Sequence, residues 1–269
     1  MAITLPSILL ATALLVPLDE PATEGGTRYL SSMAPHLEAA RYDPAEADFA
    51  WVGWIGAHLN LVENGPWALY FAPNVESVLG HRVRSFEAVQ ANYSLEVGIH
   101  RRFSRVRFSP FFHHVSRHIL DRDKRQAVDW NFLGARLDGP WPEKWNRRGA
   151  FAVSLAGATL ASAVEYNWEA RASADIDLVR KGNRGLFLLA DVRHVGAAAT
   201  PEFPRSQLTD VRAEAGFRYW QDTSQFSLFV AYERRNDVLV DRALLRTRAL
   251  FGFRIRGPQA PTPAIVPLP

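Results

Sequence analysis

Cysteine is absent from the 269 residues, methionine occurs only twice, and charge of neither sign prevails: 31 Lys+Arg stand against 28 Asp+Glu, a net of +3. A chain without cysteine is neither a disulfide-stapled module nor a Cys-based zinc or iron–sulfur protein. Near-cancellation of charge leaves no basic footprint for nucleic acid, which is not expected as a partner. With 48% hydrophobic and 12% aromatic residues the chain is not a disordered polymer, and its length suits one large domain with ample sequence to bury a core.

Long apolar runs are scarce as well. The one candidate, residues 3–18 (ITLPSILLATALLVPL), is shorter than the ~20 residues of a spanning helix but about as long as an export signal, and Asp19 and Glu20 follow it. Residues 1–24 are therefore expected to be a cleaved export signal, the alternative being a buried N-terminal helix. No later stretch reaches spanning length without charges, which excludes a helical membrane protein and leaves export to the periplasm or outer membrane open. No Gly-rich phosphate loop, His-Glu-x-x-His or dinucleotide fingerprint is found, so no cofactor is expected and ATP, NAD and zinc-protease chemistry find no support.

What the sequence has in abundance is alternation with period two. Over residues 164–178, Val164, Tyr166, Trp168, Ala170, Ala172, Ala174, Ile176 and Leu178 alternate with Glu165, Asn167, Glu169, Arg171, Ser173, Asp175 and Asp177. Only a strand sorts two such sets onto opposite faces. The pattern returns over 89–100, 208–220 and 243–255, and more weakly over 51–62, 67–74, 105–118, 128–137, 150–157, 186–194 and 226–233. The best of these match or exceed the ~9–11 residues with which a tilted strand crosses a bilayer. A soluble β-sandwich or lipocalin-like barrel alternates too, but Glu169, Arg171, Asp175, Asp210, Arg212 and Glu214 make one face too charged for a water-excluded interior.

The expected fold is an all-β, antiparallel transmembrane barrel of the bacterial outer membrane over residues 25–256, apolar outside and charge-paired inside, followed by a Pro-rich tail, 257–269. Outer-membrane lipid and the barrel assembly machinery are its expected partners. Short turns near Gly65, Ser104, Gly182 and Asp222 are expected on the periplasmic side, with the longer segments 74–84, 120–126, 196–206 and 236–241 outside. The long segment 138–148 falls on the periplasmic side. Parity then requires one more strand within residues 27–49, giving about twelve. Trp67, Tyr70, Trp168, Tyr219 and Trp220 are expected in the interfacial girdles. With the tail following the last strand, assembly is expected to read Phe251 or Phe253 internally.

The one dense cluster of chemically capable side chains is residues 111–123, FFHHVSRHILDRD. On a strand His114, Ser116 and His118 share a face. A Ser within reach of a His, with a carboxylate to orient that His, is the minimum for nucleophilic acyl transfer, which makes His114, Ser116 and Asp121 or Asp129 the candidate catalytic set. His113, Arg117 and His118 are candidate binding residues. No metal site is expected, since His114 and His118 lie roughly 13 Å apart along a strand. The face stays open in the sequence: without a bulge the set continues the parity of Val106 and Phe108 toward lipid, and a bulge at Pro110 would turn it inward.

The run His114-x-Ser116-x-His118 with Asp121, preceded by Asn92-Tyr93 and Gly98, resembles over residues 50–137 a bacterial family of unknown function predicted to form outer-membrane barrels. That family's signature reads His-x-Ser-Ser-His-Leu-Gly-Asp-Glu; here Arg117, Ile119, Leu120 and Arg122 depart from it. His114-x-Ser116 is also similar to the His-x-Ser of outer-membrane lipid A deacylases, in which a Glu on the next strand completes the triad; this chain has Asp129 there. The first resemblance implies a location, and the second a lipid acyl hydrolase. Two functions are thus expected to compete, a non-enzymatic envelope barrel, structural or binding a small ligand, and an outer-leaflet lipid acyl hydrolase.

Overall fold

A computed structural model describes residues 26–120, 127–141, 148–199, 206–222, 224–239 and 242–257. The segments read as export signal and C-terminal tail lie outside the described residues, apart from Gly257. The described chain forms twelve strands, β1 (Arg28–Glu46), β2 (Phe49–Asn64), β3 (Trp67–Gly80), β4 (Glu87–Phe103), β5 (Val106–Ile119), β6 (Val128–Pro140), β7 (Arg148–Ser162), β8 (Tyr166–Lys181), β9 (Arg184–Ala197), β10 (Gln207–Trp220), β11 (Gln225–Leu239) and β12 (Arg242–Arg256). Each pairs antiparallel with its neighbours in sequence, and β1 closes on β12. The strand required by parity is β1, the longest of all at 19 residues.

Alternation selects the wall's two faces. On β10, Asp210, Arg212, Glu214 and Arg218 are buried while Ala213, Ala215 and Phe217 are exposed. On β12, Gly252, Arg254 and Arg256 are buried and Phe251, Phe253 and Ile255 exposed. Outward Leu95, Val97, Leu133, Leu188 and Val230 continue that apolar surface around the wall. A closed sheet with an apolar exterior and ionised groups sealed inside is stable only where lipid replaces water outside, so this is a transmembrane β-barrel of the outer-membrane type.

The interior is bridged rather than hollow. Arg254 and Arg212 both bind Glu38 and Glu214, with contacts of 2.5–2.7 Å. Arg235 on β11 reaches Glu76 on β3 at 2.5 Å, joining walls four strands apart. Arg193 links Glu169 and Asp210, and Arg136 grips Glu96 with two bonds. Between these networks lie two apolar clusters, one around Trp130, Phe132 and Tyr166 and the other around Trp54, Phe187 and Phe229. Guanidinium groups stack on several of these rings, Arg218 on Phe187 at 4.0 Å and Arg254 on Phe229 at 4.9 Å. The expected polar lumen is thus polar and aromatic together.

Four expectations are corrected. Val164 and Tyr166 do not share a face with Trp168: a bulge between Tyr166 and Trp168 resets the parity, and Tyr166 packs inside. Trp220 belongs to no girdle, being on the inward parity of β10 with the Arg218 guanidinium 5.9 Å from its ring, and neither does Tyr70, which is fully buried in the lumen with its hydroxyl on Glu96 at 2.8 Å. Gly98 makes that possible, since a Cβ there would come within 2.8 Å of the Tyr70 ring. Segments 74–84 and 236–241 are mostly strand rather than loop, as β3 runs to Gly80 and β11 to Leu239. Likewise Asp138 lies on β6 rather than in a loop, paired with Arg107.

Two outcomes follow from the bridged lumen. Replacing Arg254 with Met leaves Glu38 and Glu214 with only Arg212 between them and should destabilise the barrel by about 3–5 kcal/mol, read as a lowered denaturant midpoint in lipid vesicles. Planar-bilayer recordings of the wild-type protein should show no steady porin-like conductance.

Candidate functional site

No bulge interrupts β5 at Pro110: Pro110 pairs with Ala135, and the register continues unbroken from Arg107 to Arg117. The parity of Val106 and Phe108 therefore carries through Phe112, His114, Ser116 and His118, which are exposed or half-buried, while Phe111, His113, Val115 and Arg117 are buried. The His–Ser–His set faces outward. Ser116 lies three residues from the strand end at Ile119, about 10 Å of strand, at the end of the barrel opposite the start of β1 and the end of β12.

Neighbouring strands complete the cluster. His114 stands opposite Leu95 on β4 and Asn131 on β6, and Ser116 stands opposite Tyr93 and Asp129. His114 Nδ1 lies 2.6 Å from Asn131 Oδ1, so the ring N–H donates to the amide oxygen and Nε2 is left as the acceptor nitrogen. Ser116 Oγ lies 3.2 Å from His118 Nε2, and the edge of Tyr93 meets the His118 ring with centroids 5.2 Å apart. A hydroxyl thus sits between two imidazoles, one of them fixed by an amide in the way a triad's third member fixes its base.

The candidate residues divide. His114, Ser116, His118 and Asp129 come together on the outer surface; Asp129 is set opposite Ser116, and the group bound to His114 is Asn131. Asp121 lies outside the described residues. His113 and Arg117 point the other way: His113 is buried in the lumen, and the Arg117 guanidinium lies 5.3 Å from the centre of the Trp130 ring. Asn131 was legible in principle, because it is the outward residue opposite His114 once β5 and β6 are aligned. A search for carboxylates alone passes over it.

The lumen holds a second histidine cluster that the sequence did not bring together. His100 Nδ1 meets Ser109 Oγ at 2.7 Å, and His100 Nε2 meets His58 Nε2 at 3.0 Å. Tyr70 stacks flat on His100 at 4.0 Å. Ser109 is completely buried, so this column is packing and hydrogen bonding inside the wall, without access for a substrate. Among the described residues no group of three or more His, Cys, Asp or Glu is placed to hold a metal ion.

No protein family matches the sequence, and no curated protein sequence matches it. In fold the chain is similar to the KdgM porin (TM-score 0.48, 8% identity, 84% of this chain and 99% of that one). It is also similar to outer membrane phospholipase A from Escherichia coli (TM-score 0.47, 11% identity, 83% and 92%). The toluene transporter TodX of Pseudomonas putida aligns with a TM-score of 0.40 and 9% identity over 88% and 89%.

The His114–Asn131 bond fixes a tautomer, which nitrogen-15 NMR of the histidine side chains in detergent micelles checks. In the neutral ring of His114 the proton should sit on Nδ1, and Asn131→Ala should scramble the tautomers. Because the variant removes one hydrogen bond from the outward face, it should lower stability by about 0.5–1.5 kcal/mol.

Proposed function

We propose that this protein is an acyl hydrolase of the bacterial outer membrane that cleaves ester-linked chains from outer-leaflet lipid. The observation that carries the reading is the His114–Asn131 bond on the lipid-facing wall beside Ser116. Polar side chains on that face are unfavourable, by an amount that falls from about 2–4 kcal/mol for a charge at the midplane to about 0–1 near the interface. In this reading the cluster, about 10 Å from the strand end, meets the region where acyl chains join the head group, so an ester carbonyl reaches it without leaving the bilayer.

In this reading Ser116 Oγ attacks the ester carbonyl carbon, its proton passes to an imidazole Nε2, and the same imidazole returns the proton to the leaving alkoxide. Water then hydrolyses the acyl-serine. His114 is assigned as the base because Asn131 holds its Nδ1–H and leaves Nε2 free to accept. The Ser116 hydroxyl stands on His118 Nε2 at 3.2 Å, so this assignment requires it to turn toward His114, two residues along the same face. Contacts of this kind often tighten only when substrate is bound. His118 and Asp129 flank the hydroxyl and position the head group, and the orienting role sought in Asp121 or Asp129 passes to Asn131. The barrel is delivered by the export signal and inserted by the assembly machinery, with outer-membrane lipid as partner and substrate.

A non-enzymatic envelope barrel is the second reading, and the ion-paired interior favours it, because a wall so thoroughly cross-linked serves a structural role without any chemistry. Mass spectrometry of envelope lipids from cells expressing wild type, Ser116→Ala or neither separates the two. Loss of an acyl chain only with wild type is expected. On purified protein, Ser116→Ala and His114→Ala should lower turnover by about 10³-fold or more, Asn131→Ala by less, and His118→Ala least. Lipids unchanged by a properly inserted wild type would leave the structural reading, and a larger loss in His118→Ala than in His114→Ala would exchange the two histidines' roles.

A further inference from the structure

The end of the barrel where β1 begins and β12 ends holds an open pocket of about 350 Å³, within the size range of small-molecule sites. Its wall includes Asp175, Asp177, Arg180, Arg218, Trp220 and Arg256, three guanidinium groups against two carboxylates. Arg218 takes both carboxylates, Asp177 through Nη1 at 3.0 Å and Asp175 through Nη2 at 3.0 Å. Arg180 lies at the rim, stacked 4.1 Å over the Trp220 ring. Arg256 is left over. It is only 6% exposed, its nearest carboxylate contact is a long 3.8 Å approach to Asp175, and its Nη2 has no hydrogen-bond partner among the described residues. The adjoining Arg254 is already held by Glu38 and Glu214 and leaves Arg256 no carboxylate of its own.

A buried guanidinium with an unused N–H is costly unless something accepts from it, and the other buried arginines of this lumen mostly have carboxylates at 2.5–3.1 Å. We propose that the pocket binds a small monoanion, a carboxylate of metabolite size, whose charge is taken by Arg256 and Arg180 and whose remaining atoms meet Trp220, Gln221 and Gln225, the first residue of β11. A single negative charge matches the surplus of one cation in the wall. The carboxylate is the geometry that a guanidinium fork binds through two bonds. The site lies at the opposite end of the barrel from Ser116 and is independent of the hydrolase reading.

Isothermal titration of the full chain in detergent at low salt, with benzoate and its neutral analogue benzamide, tests this. Saturable binding of benzoate, no binding of benzamide, and at least tenfold weaker benzoate binding by Arg256→Gln are expected, with Ser116→Ala binding like wild type. Arg256→Gln removes a cation that holds no close carboxylate, so its barrel should still show the heat-modifiable gel shift of a folded wall. If that variant fails to fold, Arg180→Gln, altered at the rim, must weaken benzoate several-fold. Equal binding of benzoate and benzamide, no binding of either, or benzoate affinity unchanged in the arginine variants would overturn the proposal.

Discussion

Arg212 and Arg254 share Glu38 and Glu214 at the place where β1 meets β12, and the barrel is organised around satisfying charges of this kind away from water. An ionised group in lipid or in a dry lumen is tolerable only when paired and hydrogen-bonded. Once every second residue of a strand carries such a group, the sheet has to curl until those residues face one another. Closure, the apolar exterior and the bridged interior are three aspects of that single requirement. The aromatic clusters between the networks serve the same end, since a ring face under a guanidinium holds the fork while excluding the water that would screen it.

Against this background the outer cluster on β4, β5 and β6 stands apart. Elsewhere the polar residues of β5 and β6, such as His113, Arg117, Arg136 and Asp138, turn inward into the networks. His114, Ser116, His118, Asp129 and Asn131 instead occupy positions where the alternation calls for Leu or Val. That departure from the alternation singles them out as the candidate site, although His194 and Thr209 make a smaller outward polar pair at 2.8 Å on β9 and β10. The hydrogen bonds within the cluster pair His114 with Asn131 and Ser116 with His118.

Much of the architecture could be read from the sequence because a two-residue period is a local property. The charged parity of β10 and β12 survives unchanged in the structure, and the first strand could be inferred by counting ends. Tyr166 was assigned to the wrong face because a bulge is a one-residue event that alternation cannot register. Phe187, Leu189 and Val195 face inward opposite outward Leu186, Leu188 and Val192, so β9 is apolar on both faces and its pattern alone cannot orient it. The site was half legible. His114 and Ser116 are neighbours on one strand, whereas Asn131 joins them only through the β5–β6 register, a relation between residues 17 apart.

The seam between β1 and β12 has its own consequence for assembly. It pairs only eight residues on each side, from His36 against Arg256 to Asp43 against Ala249, where β11 and β12 run together along almost their whole length. It is also the contact between the two ends of the described chain, so no hairpin guides it. A slip of one residue would present Glu38 and its neighbours to lipid, and a slip of two would keep the faces right but carry Glu38 about 7 Å past Arg254. The buried carboxylate therefore acts as a proofreader of closure: of the registers in which the ends of the sheet could meet, it makes the correct one the register in which the last charge finds its partner.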